Sequence, residues 1–196
     1  GSVFSALEVV PLMVVGFEAY NRVKFEHLHD WQEVYRWPFA FFSSVLVWNM
    51  IGAGLFGFFI NPPLALYYMQ GLNTTATHGH AALFGVYGML GIGLTLFCMR
   101  GLSDPRQWSE KLLKTSFWCL NIGLAMMVTL SLFPQGLYQA YQSFTHDYAY
   151  ARSAEVMHGP IMQALVWARV PGDLVFTVGV VAFSLFMIKA LFGGAR

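Results

Sequence analysis

A chain of 196 residues that is 57% hydrophobic, 17% aromatic and 11% charged is not composed like a soluble domain, which carries about a quarter charged residues. A net charge of +1 without any basic run excludes a nucleic-acid partner. Cys98 and Cys119 each fall inside an apolar run, so they read as small buried hydrophobes and not as a disulfide framework.

Apolar runs at about 4–20, 37–60, 78–100, 112–134 and 171–192 predict an all-α, polytopic membrane bundle of about five transmembrane helices in one region, 1–196. The first run is short and begins almost at residue 1, as if its upstream part were missing; the N-terminus has no signal-peptide pattern. It carries Glu8 in "FSALEVVPLMVV", with no basic residue beside it. A carboxylate in an apolar span is expensive unless protonated, paired or facing a polar cavity, which reads as function, and burial would raise its pKa toward proton carriage. The alternative puts Glu8 at the water interface. Pro11 frees the carbonyl of Leu7 and can kink this helix.

The loop "KFEHLHDWQEVYRW" follows, where His27 and His29 sit among many charges and read as a solvated amphipathic surface. "INPP" (60–63) closes the second run and Pro134 the fourth. Residues 135–170 read as an interfacial helix with an aromatic belt (Tyr138, Tyr141, Tyr148, Tyr150), in which His146 and His158 carry little signal. Pro171, Gly172 and Asp173 open the last run; Pro171 suits the first helical position and Asp173 the positive end of the helix dipole.

The third run opens on "THGHAALFGVYGMLGIGLTLF" (77–97). At about 100° per residue, histidines two apart point roughly 200° from each other. His78 and His80 would therefore serve two different centres if they are ligands. Histidine is a usual haem ligand, and a flat haem needs small side chains beside it, which Gly79, Ala81, Ala82, Gly85, Gly88, Gly91 and Gly93 supply. The competing reading is helix packing through small residues, with two hydrogen-bonded interfacial histidines.

Nine basic residues, from Arg22, Lys24 and Arg36 to Lys189 and Arg196, fall on one side of this arrangement and only Arg152 and Arg169 on the other. The positive-inside rule then makes the C-terminus cytoplasmic and puts Glu8, His78, His80 and Asp173 at one depth toward the outside.

"THGHAALFGVYGMLGIGL" resembles the tenth-helix motif of the catalytic subunit of bacterial nitric oxide reductases, members of the haem–copper oxidase superfamily. "SALEVVPL", "WNMIGAGLFGFFINPP" and "ARVPGDLVFTVG" extend the resemblance over essentially the whole chain, to this family's last five helices. Glu8 occupies the helix in which an oxygen-reducing oxidase would carry a proton-channel lysine.

The resemblance implies a denitrifying oxidoreductase of the bacterial inner membrane that joins two nitric oxide molecules, with two electrons and two protons, into nitrous oxide and water. It makes His78 the proximal ligand of a high-spin haem b and His80 an axial ligand of a low-spin haem b. Glu8 becomes the glutamate beside a non-haem iron, and Asp173 a residue of the quinol pocket. Haem b (two) and non-haem iron are the implied cofactors, and the haem ligands face the periplasm. The resembled subunit has at least twelve helices, so the chain is expected to be its C-terminal portion, inactive alone, with most non-haem iron ligands outside it. Its expected partners are the missing N-terminal helices, the lipid bilayer, and a quinol or cytochrome c donor; a homodimer is open. Two other readings remain: an oxygen-reducing haem–copper oxidase, or a non-enzymatic bundle or transporter piece whose His and Glu serve packing or proton relay.

Overall fold

The computed structural model describes residues 34–103 and 108–192, with eight further positions between 3 and 17, all eight helical. Glu8, His27, His29 and most of the expected first span lie outside the described residues. In chain order the helices are α1 (Arg36–Ile60), α2 (Pro63–Met69), α3 (Asn73–Leu102), α4 (Glu110–Thr145), α5 (Ala154–Met157), α6 (Pro160–Trp167) and α7 (Val170–Phe192). Among the described residues, four segments are long and apolar enough to cross a membrane: α1, α3, α4 and the α6–α7 run. No strand occurs among them.

The helix ends follow local chemistry. Pro62 lacks the N–H that would continue α1 and turns extended (ψ 142°), while Pro63 has the fixed φ that suits the start of α2. Gly71 takes φ +73°, a left-handed value that glycine adopts without strain, and turns the chain into α3. Glu110 lies in the first turn of α4, where its charge meets the positive helix end; it also accepts hydrogen bonds from Arg36 Nη2 and Trp37 Nε1, tying α4 to the start of α1.

Two boundaries differ from the hydropathy reading. Pro134 does not end the fourth span, because α4 runs on to Thr145. The π-helical turn Met127–Leu132 just before it changes the backbone register, and this is where a proline can sit without an α-type hydrogen bond being required of it. The stretch 135–170 is therefore not one interfacial helix. It is the last part of α4, a 3₁₀ turn at Tyr150–Arg152, then α5 and α6. The last helical run likewise begins before Pro171, with α6 leading into α7 at Val170.

Glycines set the spacing between helices. A Cβ on Gly52 would stand 2.6 Å from the carbonyl carbon of Ala81, one on Gly85 2.6 Å from Trp48 Cγ, and one on Gly93 2.7 Å from Phe42 Cε1. Backbones of α1 and α3 thus touch, antiparallel. The same closeness joins α4 to α7: Gly123 would meet Phe176 N at 2.5 Å, Gly172 Met127 N at 2.8 Å and Gly179 Leu120 N at 2.8 Å. Lipid is as apolar as the helix surfaces, so association rests on such contact and on interhelical hydrogen bonds. One of the latter runs from Trp48 Nε1 to Asn121 Oδ1 at 2.9 Å, linking α1 to α4.

The antiparallel pairing gives the bundle two ends. Arg36, Arg100, Lys111, Lys114 and Lys189 gather at one. The starts of α3 and α7 and the end of α4 meet at the other, which holds both histidines of the third run.

Candidate functional site

The site is built on the first turns of α3. The turn before that helix is held from α4's side, where Tyr148 Oη donates to the carbonyl of Gln70 at 2.6 Å. His78 and His80 follow, half-buried. The ring of His78 reaches across to α1, with Nδ1 2.7 Å from the carbonyl oxygen of Gly52. It also lies against Gly57, where a Cβ would come within 3.3 Å of His78 Cε1. Both glycines border or belong to π-helical backbone, Asn49–Phe56, and α3 has its own π-helical stretch, His80–Gly88, packed opposite. Such turns recur at functional sites because they break the regular ladder.

His80 turns the other way. Its Nδ1 is 2.9 Å from the carbonyl of Ala76, one turn back on its own helix, and its Nε2 is 3.3 Å from Nη2 of Arg169. His78 thus reaches α1 and His80 the turn between α6 and α7, the divergence that a spacing of two predicts.

Hydrogen-bond chemistry fixes their tautomers. A carbonyl oxygen only accepts, so Nδ1 carries a proton in both rings. A guanidinium only donates, so Arg169 is an independent witness to the same assignment in His80. A neutral imidazole, oriented through Nδ1–H and open at Nε2, is the form that ligates metals.

Asp173 sits in the first turn of α7 and pairs with Arg169, whose Nε donates to Asp173 Oδ1 at 3.0 Å; both side chains are about half-exposed. The structure thus joins two of the singled-out residues, His80 and Asp173, through a third that sequence reading took only as an outer charge. The available signal was the spacing of Arg169 and Asp173, four apart across Pro171 in "ARVPGD". His146 stacks on Tyr150 with ring centroids 4.5 Å apart, away from the α3 histidines.

The small residues of α3 divide between their two readings. Ala81 and the glycines at 85 and 93 pack against α1, whereas a Cβ on Gly79 or Gly91 would have no atom of a neighbouring element within 4 Å among the described residues. Packing thus accounts for Ala81, Gly85 and Gly93, while Gly79, between the two histidines, meets no neighbouring element among the described residues. Among the described residues, no three His, Cys, Asp or Glu side chains come together as a metal-holding group.

Against known proteins, residues 1–175 match the family described as cytochrome c and quinol oxidase polypeptide I. A subunit of the nitric oxide reductase of Stutzerimonas stutzeri is 28% identical over 190 residues, covering 93% of this chain and 38% of that protein. The chain thus spans well under half the length of this curated relative. A match that takes in α1, both α3 histidines, all of α4 and the Arg169–Asp173 pair leaves one conclusion: the chain belongs to the cytochrome c and quinol oxidase polypeptide I family.

Proposed function

We propose that this chain is the C-terminal part of a membrane nitric oxide reductase, in which His78 and His80 ligate two different haems through Nε2. The observation that carries the reading is the pair of oriented rings: each Nδ1 is committed to a backbone carbonyl, that of His78 on α1 and that of His80 on its own helix, with His80 Nε2 toward Arg169. The name and 28% identity of the nitric oxide reductase relative support this chemistry over oxygen reduction, as does Glu8 where an oxidase would carry lysine.

When bound, two b haems and a non-haem iron would supply the electrons and the coordination sites for joining two nitric oxide molecules, with two electrons and two protons, into nitrous oxide and water. The chain's own residues do the positioning. His78, its ring seated on Gly52 and Gly57 of α1, orients one group, and His80 orients the other beside Arg169. Glu8 serves the non-haem iron's surroundings and the supply of protons; the remaining iron ligands come from upstream helices of the same subunit. Asp173 lines the quinol pocket, with cytochrome c the other candidate donor. The basic end faces the cytoplasm of a bacterial inner membrane and the histidine end the periplasm, in keeping with the asymmetry of Lys and Arg.

Oxygen reduction is the second reading, favoured by the family's own description. The test is a reduced-minus-oxidised spectrum with pyridine haemochrome quantitation on the full-length protein, followed by turnover of nitric oxide and of oxygen. Two b haems, one binding carbon monoxide, are expected, with nitric oxide consumed. His78→Ala is expected to remove the carbon monoxide-binding haem and turnover while keeping the low-spin signal, and His80→Ala to remove the low-spin signal. Haem-free protein, or haem retained in both variants, overturns the proposal.

A further inference from the structure

Four polar residues recur at intervals of four on α4: Ser131, Gln135, Gln139 and Ser143. That spacing puts them on one helical face, along about 18 Å of its length. All are buried, at 0%, 6%, 4% and 2% exposure. Buried polar groups are costly unless partnered; the two glutamines find partners at the start of α3, and Ser131 finds its own in Gln135 and α6.

The backbone N–H of Asn73 donates to Gln139 Oε1 at 2.9 Å, and its side-chain Nδ2 donates to Gln135 Oε1 at 2.8 Å. Gln135 Nε2 donates to Ser131 Oγ at 2.7 Å, which in turn donates to the carbonyl of Leu165 at 2.8 Å. Gln139 Nε2 points to Met157 Sδ at 3.2 Å. Between the glutamines, Gly136 brings the α4 backbone against Thr74, where a Cβ would overlap Thr74 and Asn73.

A polar stripe near a proton-consuming site invites reading as a proton path, and its chemistry argues otherwise. Carboxamides hold their protons, so Gln135 and Gln139 interrupt any relay of hydroxyls. Ser143, at the stripe's end, has no hydrogen-bond partner among the described residues.

We infer that Gln135 and Gln139 are positioning residues that clamp the first turn of α3 and so aim the rings of His78 and His80. The rings stand five and seven residues beyond Asn73, within two helical turns. Thr77 Oγ1 donates to the Asn73 carbonyl at 2.8 Å, and His80 leans on Ala76, so the clamped turn and the ring-bearing turn share hydrogen bonds. The consequence for haem rests on the proposed function; the clamp itself does not.

The experiment compares Gln139→Met with Gln139→Glu in the full-length protein. Methionine keeps the volume and loses the acceptor, while glutamate offers Asn73 an acceptor oxygen in either protonation state. Hydrogen exchange of residues 73–80 is read by mass spectrometry, and the low-spin haem by its electron paramagnetic resonance g-values. Gln139→Met is expected to speed exchange of 73–80 about tenfold, as loss of one buried hydrogen bond implies, and to shift the g-values. Gln139→Glu restores both, and residues 94–102 stay unchanged throughout. If Gln139→Met does not assemble, Gln135→Met, which loses the bond to the Asn73 side chain, is compared with Gln135→Glu by the same readouts. Equal behaviour of Met and Glu variants, faster exchange spread evenly along α3, or faster exchange with unmoved g-values overturns the clamp. Wild-type protein without haem overturns the proposed function alone, and the exchange data still decide the clamp.

Discussion

Nη2 of Arg169 stands 3.3 Å from Nε2 of His80, on the lone pair that a metal would take. Metal and guanidinium cannot hold that lone pair together, so a metal on His80 would move Nη2 aside. The Nε bond to Asp173 need not break, because a guanidinium presents five donors. Asp173 would then stay electrically close to a group held by His80.

Asp173→Asn removes a negative charge near that group and keeps the side chain's shape. A nearby negative charge favours ferric over ferrous iron, so its loss is expected to raise the midpoint potential of the low-spin haem. At about 10 Å and an effective dielectric of about 20 the interaction is roughly 1.7 kcal/mol, and half-exposure reduces it to a shift on the order of tens of millivolts. A spectroelectrochemical titration resolving the two haems checks this. An unmoved low-spin potential would separate Asp173 from His80.

Gly57→Ala tests the seat of His78. The new methyl would stand 3.3 Å from His78 Cε1 and 3.6 Å from Nδ1, so the ring must give by a few tenths of an ångström. The expected result is a shifted iron–histidine stretch of the high-spin haem in resonance Raman, with little loss of stability. Gly101→Ala, on α3 but facing no atom within 4 Å, is the control and is expected to leave the stretch in place.

Asn121→Leu removes the partner of Trp48 Nε1 inside the bundle. Hydrogen bonds between membrane helices are worth about 0.6–2 kcal/mol. A loss of that size in reversible unfolding in mixed detergent is expected, with haem content unchanged. An unchanged unfolding midpoint would show that packing alone holds α1 to α4.

Tyr150 gives a pH signature outside the spans. Its hydroxyl donates to Glu155 at 3.1 Å, and that carboxylate holds the phenol's pKa above the usual tyrosine range. The neutral phenol is the favoured form, so the contribution to stability is present below the ordinary tyrosine pKa and lost as pH rises through the raised one. Ultraviolet titration of wild type minus Tyr150→Phe is expected to show a late-titrating tyrosine, and Glu155→Gln to bring it down.

Hydropathy made the spans legible, because each apolar run had to be helical in lipid. It misjudged where α4 ends, since Pro134, Gln135, Gln139 and Ser143 are the residue types of a loop. Their fitness for a buried face depends on Asn73, about sixty residues away in sequence and brought near only by folding. The divergence of His78 and His80 was readable from their spacing alone. Arg169 was not, because its meaning comes from contacts on either side of a turn, one of them with a helix that precedes it by most of the bundle.

The π-helical stretch His80–Gly88 gives α3 a further property. A π turn closes over one residue more than an α turn. Deleting one residue from 81–88 would leave composition, charge and span length almost untouched and let the turn relax to α. The lost residue and the tighter winding of the α form offset each other, so everything beyond Gly88 would keep nearly the same angle to the histidines. The face that Gly93 turns toward α1 would be kept, whereas the same deletion in an all-α stretch would turn it away by about 100°. The π stretch is therefore the one place where α3 can lose a residue between His80 and Gly93 without re-aiming either end.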